Sequence, residues 1–416
     1  MNNSISSLKT SLNDYLPSCN ALNVGGLSLA QIERLATRTP FYAYDRQLII
    51  NKVSQLSKIL PKEISLHYAI KANPYPSLVQ LMAAQVSGFD VASKKEMLLA
   101  LQTGMPAKNI SFAGPGKTQA DIEAAIITGV TLHAESENEI SKITIAAKQL
   151  NLTANLAIRV NPSFELKSSG MKMSGGAKPF GIDEEKIPAA LKSLSLEQIN
   201  LRGFHIYSGS QNLNEQAIIS AQKQTFSLAK ELIELSTRIT NKKIDYLNIG
   251  GGFGVPYFAK DKALDMQLIA NNLNNLLCQY HDCIEDIKLI VELGRYLVAE
   301  AGIYVTKVID KKESRGTQYL VCDGGLHHHL ANSGNFGQVI RKNYPLAIGN
   351  KLNGTELEQV NIVGPLCTPL DILAEKVMLP RADIGDYVVI FQSGAYGASA
   401  SPKDFLSQPE LSEILL

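Results

Sequence analysis

The sequence predicts a closed parallel (β/α)8 barrel followed by a mainly β domain. From about Pro40 to Gly302, short apolar and β-branched runs alternate with longer helical patterns, giving eight strand–helix units. The strand-like runs are mostly apolar and do not alternate between apolar and polar residues, which is typical of parallel strands that are buried on both faces. After Gly302 the helical periodicity fades, and β-rich segments such as "IYVTKVID" and "DYVVIFQ" follow.

The eight predicted barrel strands lie, in order, in "ISLHYAI", "GFDVAS", "NISFAG", "TLHAES", "LAIRVNP", "RGFHIYSGSQ", "KIDYLNIGGGFG" and "KLIVELGR". A polar or glycine residue stands just after each of these strands. Because the carboxyl ends of the strands carry the chemistry of a (β/α)8 barrel, this pattern favours the barrel. A doubly wound open sheet is the alternative.

The same patterns predict the domain boundaries. We expect the barrel to comprise residues 41–300 and the β domain to comprise residues 301–416. Residues 1–40 are expected to pack with the β domain, because "NALNVGGLSLAQIERLATRTPFYAYD" indicates short strands plus one helix.

Composition limits the partners and the compartment. The 416 residues include 40 basic and 39 acidic ones, for a net charge of +1, without a basic run or stripe, so we expect neither nucleic acid nor a membrane as a partner. The cysteines lack a CxxC pair, which is typical of free thiols in a reducing cytoplasm; they are Cys19, Cys278, Cys283, Cys322 and Cys367. Neither a signal-peptide pattern nor an apolar stretch of membrane-spanning length occurs, so the sequence predicts a cytoplasmic protein.

The first candidate for chemistry is Lys71 in "LHYAIKANPYP", at the end of a predicted buried strand and before a turn at Asn73-Pro74. A lysine in a dry site loses solvation, which lowers its pKa and frees the amine to form a Schiff base. A surface lysine with a partly buried stem is the alternative.

Two further motifs follow predicted strands. "NIGGGFG", from Asn248 to Gly254, offers backbone without side chains that can approach a phosphate closely. "VELGRYLVAEAG" places Arg295 where it can clamp a phosphate. Glu292 can hold a protonated ring nitrogen there, through a charge-assisted hydrogen bond worth roughly 1.5–3 kcal/mol. A Glu–Arg surface pair is the alternative. "FAGPGKT" is rejected as a P-loop, because Ser111 stands where that motif requires glycine.

The motifs "YAIKANP", "FDVAS", "RVNP", "GSQ", "NIGGGFG", "ELGR", "GPLC…D" and "GAYG" occur in one order between about Pro40 and Phe405. In this order and spacing, the chain resembles the fold-type III pyridoxal-phosphate decarboxylases, which include the diaminopimelate, ornithine and arginine decarboxylases. "GMKMSGGAKPFGID", "YSGSQNLN", "DGGLHHHL" and "GPLCTPLD" are similar to one sub-branch. It contains the glutamyl-carrier-protein decarboxylase of butirosin biosynthesis and decarboxylases encoded beside exosortase systems. The resemblance implies an alanine-racemase-like barrel, pyridoxal 5'-phosphate as cofactor and α-decarboxylation of an L-amino acid.

The resemblance also implies roles for individual residues. Lys71 would carry the cofactor as a Schiff base, and Glu292 would keep its pyridine nitrogen protonated. Cys367, from the β domain of a second subunit, would reprotonate the product carbon, so the implied assembly is a homodimer with shared active sites. Contacts to the phosphate are implied for Ser210, Gly251, Gly252, Arg295 and Tyr396, and contacts around the ring for Asp90, Arg159, His205 and Tyr207.

Two positions depart from the family pattern. The histidine that stacks on the ring in relatives falls at Tyr207, and His205 lies two positions earlier on the same strand face. Either aromatic ring can cover the cofactor, and Tyr207 is favoured. The residue after the cysteine is acidic in ornithine and diaminopimelate enzymes, where it meets the distal ammonium of the substrate, but here it is Thr368. Without a carboxylate a distal cation lacks its partner in a desolvated pocket.

We therefore expect a substrate with a conjugated side chain, either an acyl-ornithine such as N-citrylornithine or a glutamyl group on a carrier protein. Free diaminopimelate, ornithine or lysine is the alternative substrate. Contacts to the substrate are expected from Thr368, Asp371, Asp323 and His327.

No metal is expected at His327–His329, because adjacent histidines in a strand point to opposite faces and ligands with zinc spacing are missing. The glycine-rich segment "ELKSSGMKMSGGAKPFG" predicts either a mobile cover over the site or an exposed loop. A racemase of the same fold is disfavoured by Glu292, since alanine racemases present arginine to the ring nitrogen. A non-catalytic regulator is disfavoured by the intact set of Lys71, Glu292, Arg295 and Cys367.

Overall fold

A computed structural model of the chain describes residues 21–165, 169–172, 174–258, 260–336 and 341–416, with the backbone alone at 169–172. The chain divides into two compact units. Within the described residues, a barrel unit comprises residues 52–255 and 263–296, and a β unit comprises residues 21–51, 256–262 and 297–416.

The β unit begins with three short strands, β1 (Asn23–Val24), β2 (Leu27–Ser28) and β3 (Phe41–Tyr44), and one helix, α1 (Leu29–Ala36). Ser28 caps α1 with a capping box, in which its hydroxyl accepts from the backbone N–H of Gln31 and the Gln31 side chain accepts from the backbone N–H of Ser28. Helix α2 (Arg46–Ile59) follows β3.

The barrel unit contains the strands β4 (Ile64–Ala69), β5 (Gly88–Val91), β6 (Ile110–Phe112), β7 (Thr131–Ala134), β8 (Ala154–Asn161), β9 (Ser169–Lys172), β10 (Ile182–Asp183), β11 (Ile199–Ile206), β12 (Gly209–Asn212), β13 (Tyr246–Gly251) and β14 (Lys288–Leu293). Eight of them pair in parallel in the order β8-β11-β13-β14-β4-β5-β6-β7, and β7 pairs with β8, so the sheet closes. These eight strands are the eight predicted segments, and the prediction of a closed barrel is confirmed. β10 adds to β8, and β12 pairs antiparallel with β9.

The helices that follow the strands of the barrel unit are α3 (Pro76–Ala83), α4 (Lys94–Gln102), α5 (Gln119–Thr128), α6 (Glu137–Leu150), α7 (Ile187–Lys192), α8 (Glu215–Thr240), α9 (Met266–Gln279) and α10 (His281–Ile284). Several begin at a residue whose side chain accepts from the first helical turn, as Ser93, Ser136 and Asn214 do. Strand and helix therefore join through short polar turns, which fixes the residues at the strand ends.

The remainder of the β unit contains a short helix, α11 (Arg295–Val298), and the strands β15 (Gly302–Ser314), β16 (Thr317–Cys322), β17 (Leu346–Ile348), β18 (Leu357–Val363), β19 (Ile372–Pro380), β20 (Tyr387–Ile390) and β21 (Ser412–Leu415). They form a sheet in the order β17-β20-β15-β16-β18-β19, and β3 pairs with both β15 and β21. Phe41, Ala43, Ile303 and Val305 belong to the buried core of this unit.

One boundary differs from the sequence analysis. Phe41–Tyr44, assigned there to the barrel, is hydrogen-bonded to Gly302–Val305 of β15 and belongs to the β unit. The residues of β3 are all buried, as a barrel strand would be, so local composition does not distinguish the two sheets. Among the described residues, no helix has both the length and the apolar character needed to cross a membrane.

Candidate active site

The inner face of the barrel is lined by polar side chains. Side chains from non-neighbouring strands meet there: His133 Nε2 lies 3.0 Å from the Tyr246 hydroxyl, and the His133 and His205 rings lie 4.6 Å apart. The residues in register on this face include His67, Asp90, Ser111, His133, Arg159, His205, Tyr246, Asn248 and Glu292. Since barrel interiors are usually filled by branched apolar side chains, this polar lining marks a functional end of the barrel.

Glu292, in β14, is 5% exposed and faces the amide of Asn248 and the imidazole of His205. Its Oε2 atom accepts a hydrogen bond of 2.9 Å from Asn248 Nδ2 and lies 3.4 Å from His205 Nε2. Burial, followed by the charge of Asp90, raises the pKa of Glu292 from 4.5 to about 7. Burial lowers the pKa of His205 well below its ordinary value, and nearby positive groups lower it further, so the imidazole is neutral at pH 7. A cation placed beside Glu292 would therefore strongly stabilise the ionised form of its carboxyl group.

Asp90, in β5, is held as a carboxylate. It accepts a hydrogen bond from the Ser111 hydroxyl, and its Oδ2 atom lies 3.6 Å from His67 Nδ1. Burial raises the pKa of Asp90, but His67 and Ser111 outweigh burial and the pKa is lowered overall. Two buried carboxyl groups, Asp90 and Glu292, thus share the inner face. The pKa of Glu292 is raised and that of Asp90 is lowered, so Glu292 is protonated first as the pH falls.

Lys71 follows β4 directly, within a short 3-10 turn at Ile70–Ala72. Its Nζ atom lies 5.7 Å from the centre of the Tyr207 ring. Its side chain is exposed, so burial within this chain does not provide the dry site that the sequence predicts. The position of Lys71 at the carboxyl end of a barrel strand is as predicted.

Tyr207 and His205 occupy different places in the barrel. His205 points inward and contacts Glu292 and His133. Tyr207 lies just beyond β11, where Lys71 Nζ and the Arg159 guanidinium, 6.0 Å away, both face its ring. Of the two aromatic rings, Tyr207 is the one beside the lysine.

The glycine-rich segment that follows β13 is shaped by its lack of side chains. Gly250 and Gly252 have φ of 71° and 77°, where other residues are strained. A Cβ atom at Gly252 would collide with the carbonyl oxygen of Gly209, next to Ser210 in β12. Gly251 pairs in register with Glu292, and Arg295 begins α11 directly after β14. Within the barrel unit, Gly252 just after β13 therefore lies against Gly209 of β12, and Gly251 lies beside Glu292 of β14.

The predicted residues of the β unit fall into two groups. Cys367 is exposed, and Thr368 beside it is half-buried with its hydroxyl accepting from Leu370 N at 3.3 Å. Asp371, by contrast, is 2% exposed, and its two oxygens accept from the backbone N–H groups of Leu326 (2.6 Å) and Leu366 (2.8 Å). Asp371 therefore braces the loop that presents Cys367, and this role uses both of its carboxylate oxygens.

Asp323 and His327 lie after β16. Asp323 accepts from Thr306 Oγ1 at 2.6 Å and from Lys307 N at 2.8 Å, so its carboxylate ties the end of β16 to the neighbouring strand β15. His327–His329 are in turns and all buried, not in a strand, so the argument from alternating faces does not apply. The ring centres of His327 and His328 lie 3.8 Å apart, with the ring planes tilted by 43°. Tyr396 has a φ of 54°, a strained conformation of the kind found at functional sites.

Sequence reasoning missed a second set of buried charges in the barrel unit. Glu135 accepts from Arg159 Nη1 at 2.9 Å, and Glu139 accepts from Lys117 Nζ at 2.8 Å. The signal available in the sequence was "AESENE", which follows β7 as the other functional motifs follow their strands. The glycine-rich cover segment predicted from the sequence lies partly outside the described residues, at 166–168 and 173.

These side chains fit a phosphate-bearing pyridine aldehyde. The exposed Lys71 stands at the end of β4 beside the Tyr207 ring, and the buried Glu292 faces the inside of the barrel. The glycine-rich backbone at the end of β13 is open to close approach by a ligand. The model of the family described as "pyridoxal-dependent decarboxylase, pyridoxal binding domain" matches residues 46–299.

The chain belongs to this decarboxylase family.

Relatives extend the match beyond the barrel. The chain is 38% identical over 397 residues to the L-glutamyl-[BtrI acyl-carrier protein] decarboxylase of Niallia circulans, covering 94% of this chain and 92% of the relative. It is 31% identical over 378 residues to the 2-[(L-alanin-3-ylcarbamoyl)methyl]-2-hydroxybutanedioate decarboxylase of Staphylococcus aureus, covering 88% and 92%. The crystal structure of diaminopimelate decarboxylase from Methanocaldococcus jannaschii superimposes with a TM-score of 0.85 at 27% identity, covering 98% and 93%.

The fold is thus the alanine-racemase-like barrel with a β-rich domain, as predicted. The decarboxylase uses pyridoxal phosphate, and the resemblance to the fold-type III enzymes is confirmed.

Proposed function

We propose that the protein removes the α-carboxylate of an L-amino acid whose side chain is conjugated, as in an acyl-ornithine such as N-citrylornithine or a glutamyl group on a carrier protein. The observation that carries this proposal is Thr368. A neutral hydroxyl, already accepting from Leu370 N, stands directly after the exposed Cys367. A distal ammonium at this place would be desolvated without a counter-charge, which is costly. The two relatives from Niallia circulans and Staphylococcus aureus bear names that describe conjugated amino acids.

The barrel residues have distinct proposed roles toward the cofactor. Lys71 Nζ would hold the aldehyde carbon, and Glu292 would hold the proton on the ring nitrogen. The backbone of Gly251 and Gly252, with Ser210 and Arg295, would bind the phosphate. When bound, pyridoxal phosphate supplies an electron sink for the electrons left on the α-carbon as CO2 departs.

The residues around the ring would orient it. Tyr207 is proposed as the cover, because its ring already lies beside Lys71 Nζ. His205 is proposed to support Glu292 from inside the barrel at 3.4 Å. Burial, together with the charge of the Asp90 carboxylate, raises the pKa of Glu292, and a cationic ring would offset both effects. Arg159 would flank the ring.

Cys367 is proposed as the proton donor to the product carbon, acting in the partner's site of a homodimer. Its support is the loop itself, in which Cys367, Pro369 and Leu370 are exposed while Asp371 anchors the loop from below. Leu370 is 57% exposed, which favours coverage by another chain. His327 and Asp323 are proposed to contact the substrate. Asp323 also accepts from Thr306 and Lys307 of β15, and Asp371 also accepts from Leu326 N and Leu366 N. We propose no nucleic-acid or membrane partner and a cytoplasmic location.

A free amino acid is the second candidate substrate, supported by the match to diaminopimelate decarboxylase. The test is CO2 release from purified protein over a panel of free ornithine, lysine and diaminopimelate, N-citrylornithine, and glutamyl-loaded carrier protein. We expect turnover of a conjugate and little turnover of the free diamines. Robust turnover of a free diamino acid would refute the inference from Thr368.

A matched variant sharpens this test. Thr368→Glu places a carboxylate where the free-substrate enzymes have one, and it should shift the preference toward free ornithine or lysine. A preparation that stays colourless with added pyridoxal phosphate would instead support the non-catalytic regulator.

A further inference from the structure

Glu135 joins three separate segments at the carboxyl ends of neighbouring strands. It follows β7 and is 6% exposed. Its Oε1 atom accepts from Arg159 Nη1 at 2.9 Å and from Gly114 N at 2.5 Å, and its Oε2 atom accepts from Gly181 N at 3.2 Å. One carboxylate therefore ties the loop after β6 and the residue before β10 to the guanidinium of β8.

The position of Glu135 is itself rigidly supported. Its backbone N–H donates to Glu139 Oε2 at 2.7 Å, and Ser136 caps the helix that carries Glu139. Glu139 in turn pairs with Lys117, whose Nζ atom also donates to the carbonyl oxygens of Gly114 (2.7 Å) and His133 (2.8 Å). These hydrogen bonds at the junction between β7 and its helix fix the position of Glu135, which a residue that orients another side chain requires.

The guanidinium that Glu135 holds is the one nearest the proposed ring site. The Arg159 side chain is 7% exposed, with its Cζ atom 5.1 Å from the centre of the Phe180 ring and 6.0 Å from that of Tyr207. Arginine has several rotamers, and two aromatic rings alone do not fix the direction of its planar fork. A buried carboxylate at 2.9 Å does, and it also neutralises the charge.

We propose that Glu135 is a positioning residue, which sets the orientation and charge balance of Arg159 beside the bound cofactor and ties the Gly181 end of the segment between β8 and β10 to the site. This rests on the proposed function, because it takes the ring to lie between Tyr207 and Arg159. Glu135 acts through Arg159 and does not touch the reacting atoms.

The competing explanation is that Glu135 only holds loops together. Glu139 offers a matched control, because it is equally buried at 7%, is also a glutamate, and pairs with a buried lysine on the same junction. A loss of loop packing alone should affect the Glu135→Gln and Glu139→Gln variants alike. A loss of Arg159 orientation should affect only the first, because a glutamine at position 139 keeps an amide oxygen that can accept from the Glu135 backbone N–H.

The test is a double-mutant cycle on cofactor affinity. Apoprotein prepared from the yellow holoenzyme is titrated with pyridoxal phosphate, and the visible circular dichroism of the bound cofactor is recorded for the wild type, Glu135→Gln, Arg159→Met and the double variant. We expect Glu135→Gln to weaken binding about tenfold or more, as truncation of a buried charge pair does, and to alter the dichroism. In the Arg159→Met background the same change should cost about twofold or less.

The two controls complete the test. Glu139→Gln should lower thermal stability while leaving the affinity and the dichroism near wild type. Glu135→Asp keeps the negative charge but shortens the side chain by one methylene, so this variant should bind pyridoxal phosphate with intermediate affinity. It replaces Glu135→Gln in the test if that variant does not fold. Equal losses from Glu135→Gln with and without Arg159, or wild-type affinity of Glu135→Asp, would overturn the proposal. A wild-type protein that never binds the cofactor would refute the proposed function instead.

Discussion

The substitution Glu292→Gln should have opposite effects on the protein with and without cofactor. In the cofactor-free protein, burial and the charge of Asp90 raise the pKa of Glu292 from 4.5 to about 7. A raised carboxyl pKa means that the folded state holds a proton that the unfolded state releases. Stability is therefore fully present below pH 4.5 and is lost as the pH rises through about 7.

The size of the loss follows from the shift. The difference between 4.5 and about 7 is roughly 2.5 pKa units, and each unit corresponds to about 1.36 kcal/mol, giving about 3 kcal/mol at pH 8.5. At pH 5 the same group costs less than about 1 kcal/mol, because the folded state is then almost fully protonated and the unfolded state partly so. The glutamine side chain of the variant cannot ionise, so the variant escapes the penalty while keeping an acceptor for Asn248.

The assay is denaturant unfolding of cofactor-free protein at pH 5 and pH 8.5, at one fixed protein concentration. We expect Glu292→Gln to exceed the wild type in free energy of unfolding by about 3 kcal/mol at pH 8.5 and to differ little at pH 5. The exposed carboxylate of Glu63 provides the control, and Glu63→Gln should follow the wild type at both values. In the holoenzyme the Glu292→Gln variant should lose cofactor affinity and CO2 release, because an amide cannot balance a protonated ring nitrogen.

A Glu292→Gln apoprotein no more stable than the wild type at pH 8.5 would refute the electrostatic account. It would mean that the carboxylate is already compensated without the cofactor. A variant that keeps full activity would remove Glu292 from the proposed site altogether.

Three further substitutions test other parts of the site. Lys71→Ala should abolish the visible absorbance of the bound cofactor, and a spectrum that survives would place the covalent link elsewhere. Cys367→Ala should leave the cofactor bound but lower the yield of decarboxylated product; an unchanged yield would remove Cys367 from the mechanism. Gly252→Ala should weaken cofactor binding and cost about 1–3 kcal/mol of stability, because φ is 77° and the new Cβ would meet the Gly209 carbonyl. Wild-type stability and affinity of Gly252→Ala would contradict this.

Most of the fold could be predicted because its signals are local. Each of the eight barrel strands is a short apolar run followed by a polar or glycine residue, and those patterns do not depend on distant parts of the chain. The predicted boundary at residue 41 leaves Phe41–Tyr44 out of the β domain, and only the pairing of this strand with Gly302–Val305 places it there. Pairing partners some 260 residues away leave no trace in local composition.

The polar inner face could not be predicted for a related reason. His67, His133 and Tyr246 each sit among apolar residues, so their runs have the composition of ordinary buried strands. Their common face becomes apparent only when the register of the closed sheet is known. The Glu135–Arg159 pair likewise joins residues from different strands, and neither residue type identifies its partner in advance.

The balance of charges in the barrel explains why the site suits a cationic ring. Arg159 has Glu135 as its partner, Lys117 has Glu139, and Asp90 is stabilised by His67 and Ser111. Glu292 instead meets the amide of Asn248 and the neutral imidazole of His205, so its raised pKa records electrostatic free energy that a protonated pyridine nitrogen would recover. An arginine at this position would repel such a ring nitrogen and keep it neutral. If Glu292 holds the ring nitrogen as proposed, the protonated ring would withdraw electrons as strongly as decarboxylation requires, whereas a neutral ring withdraws them more weakly, which suffices for racemisation.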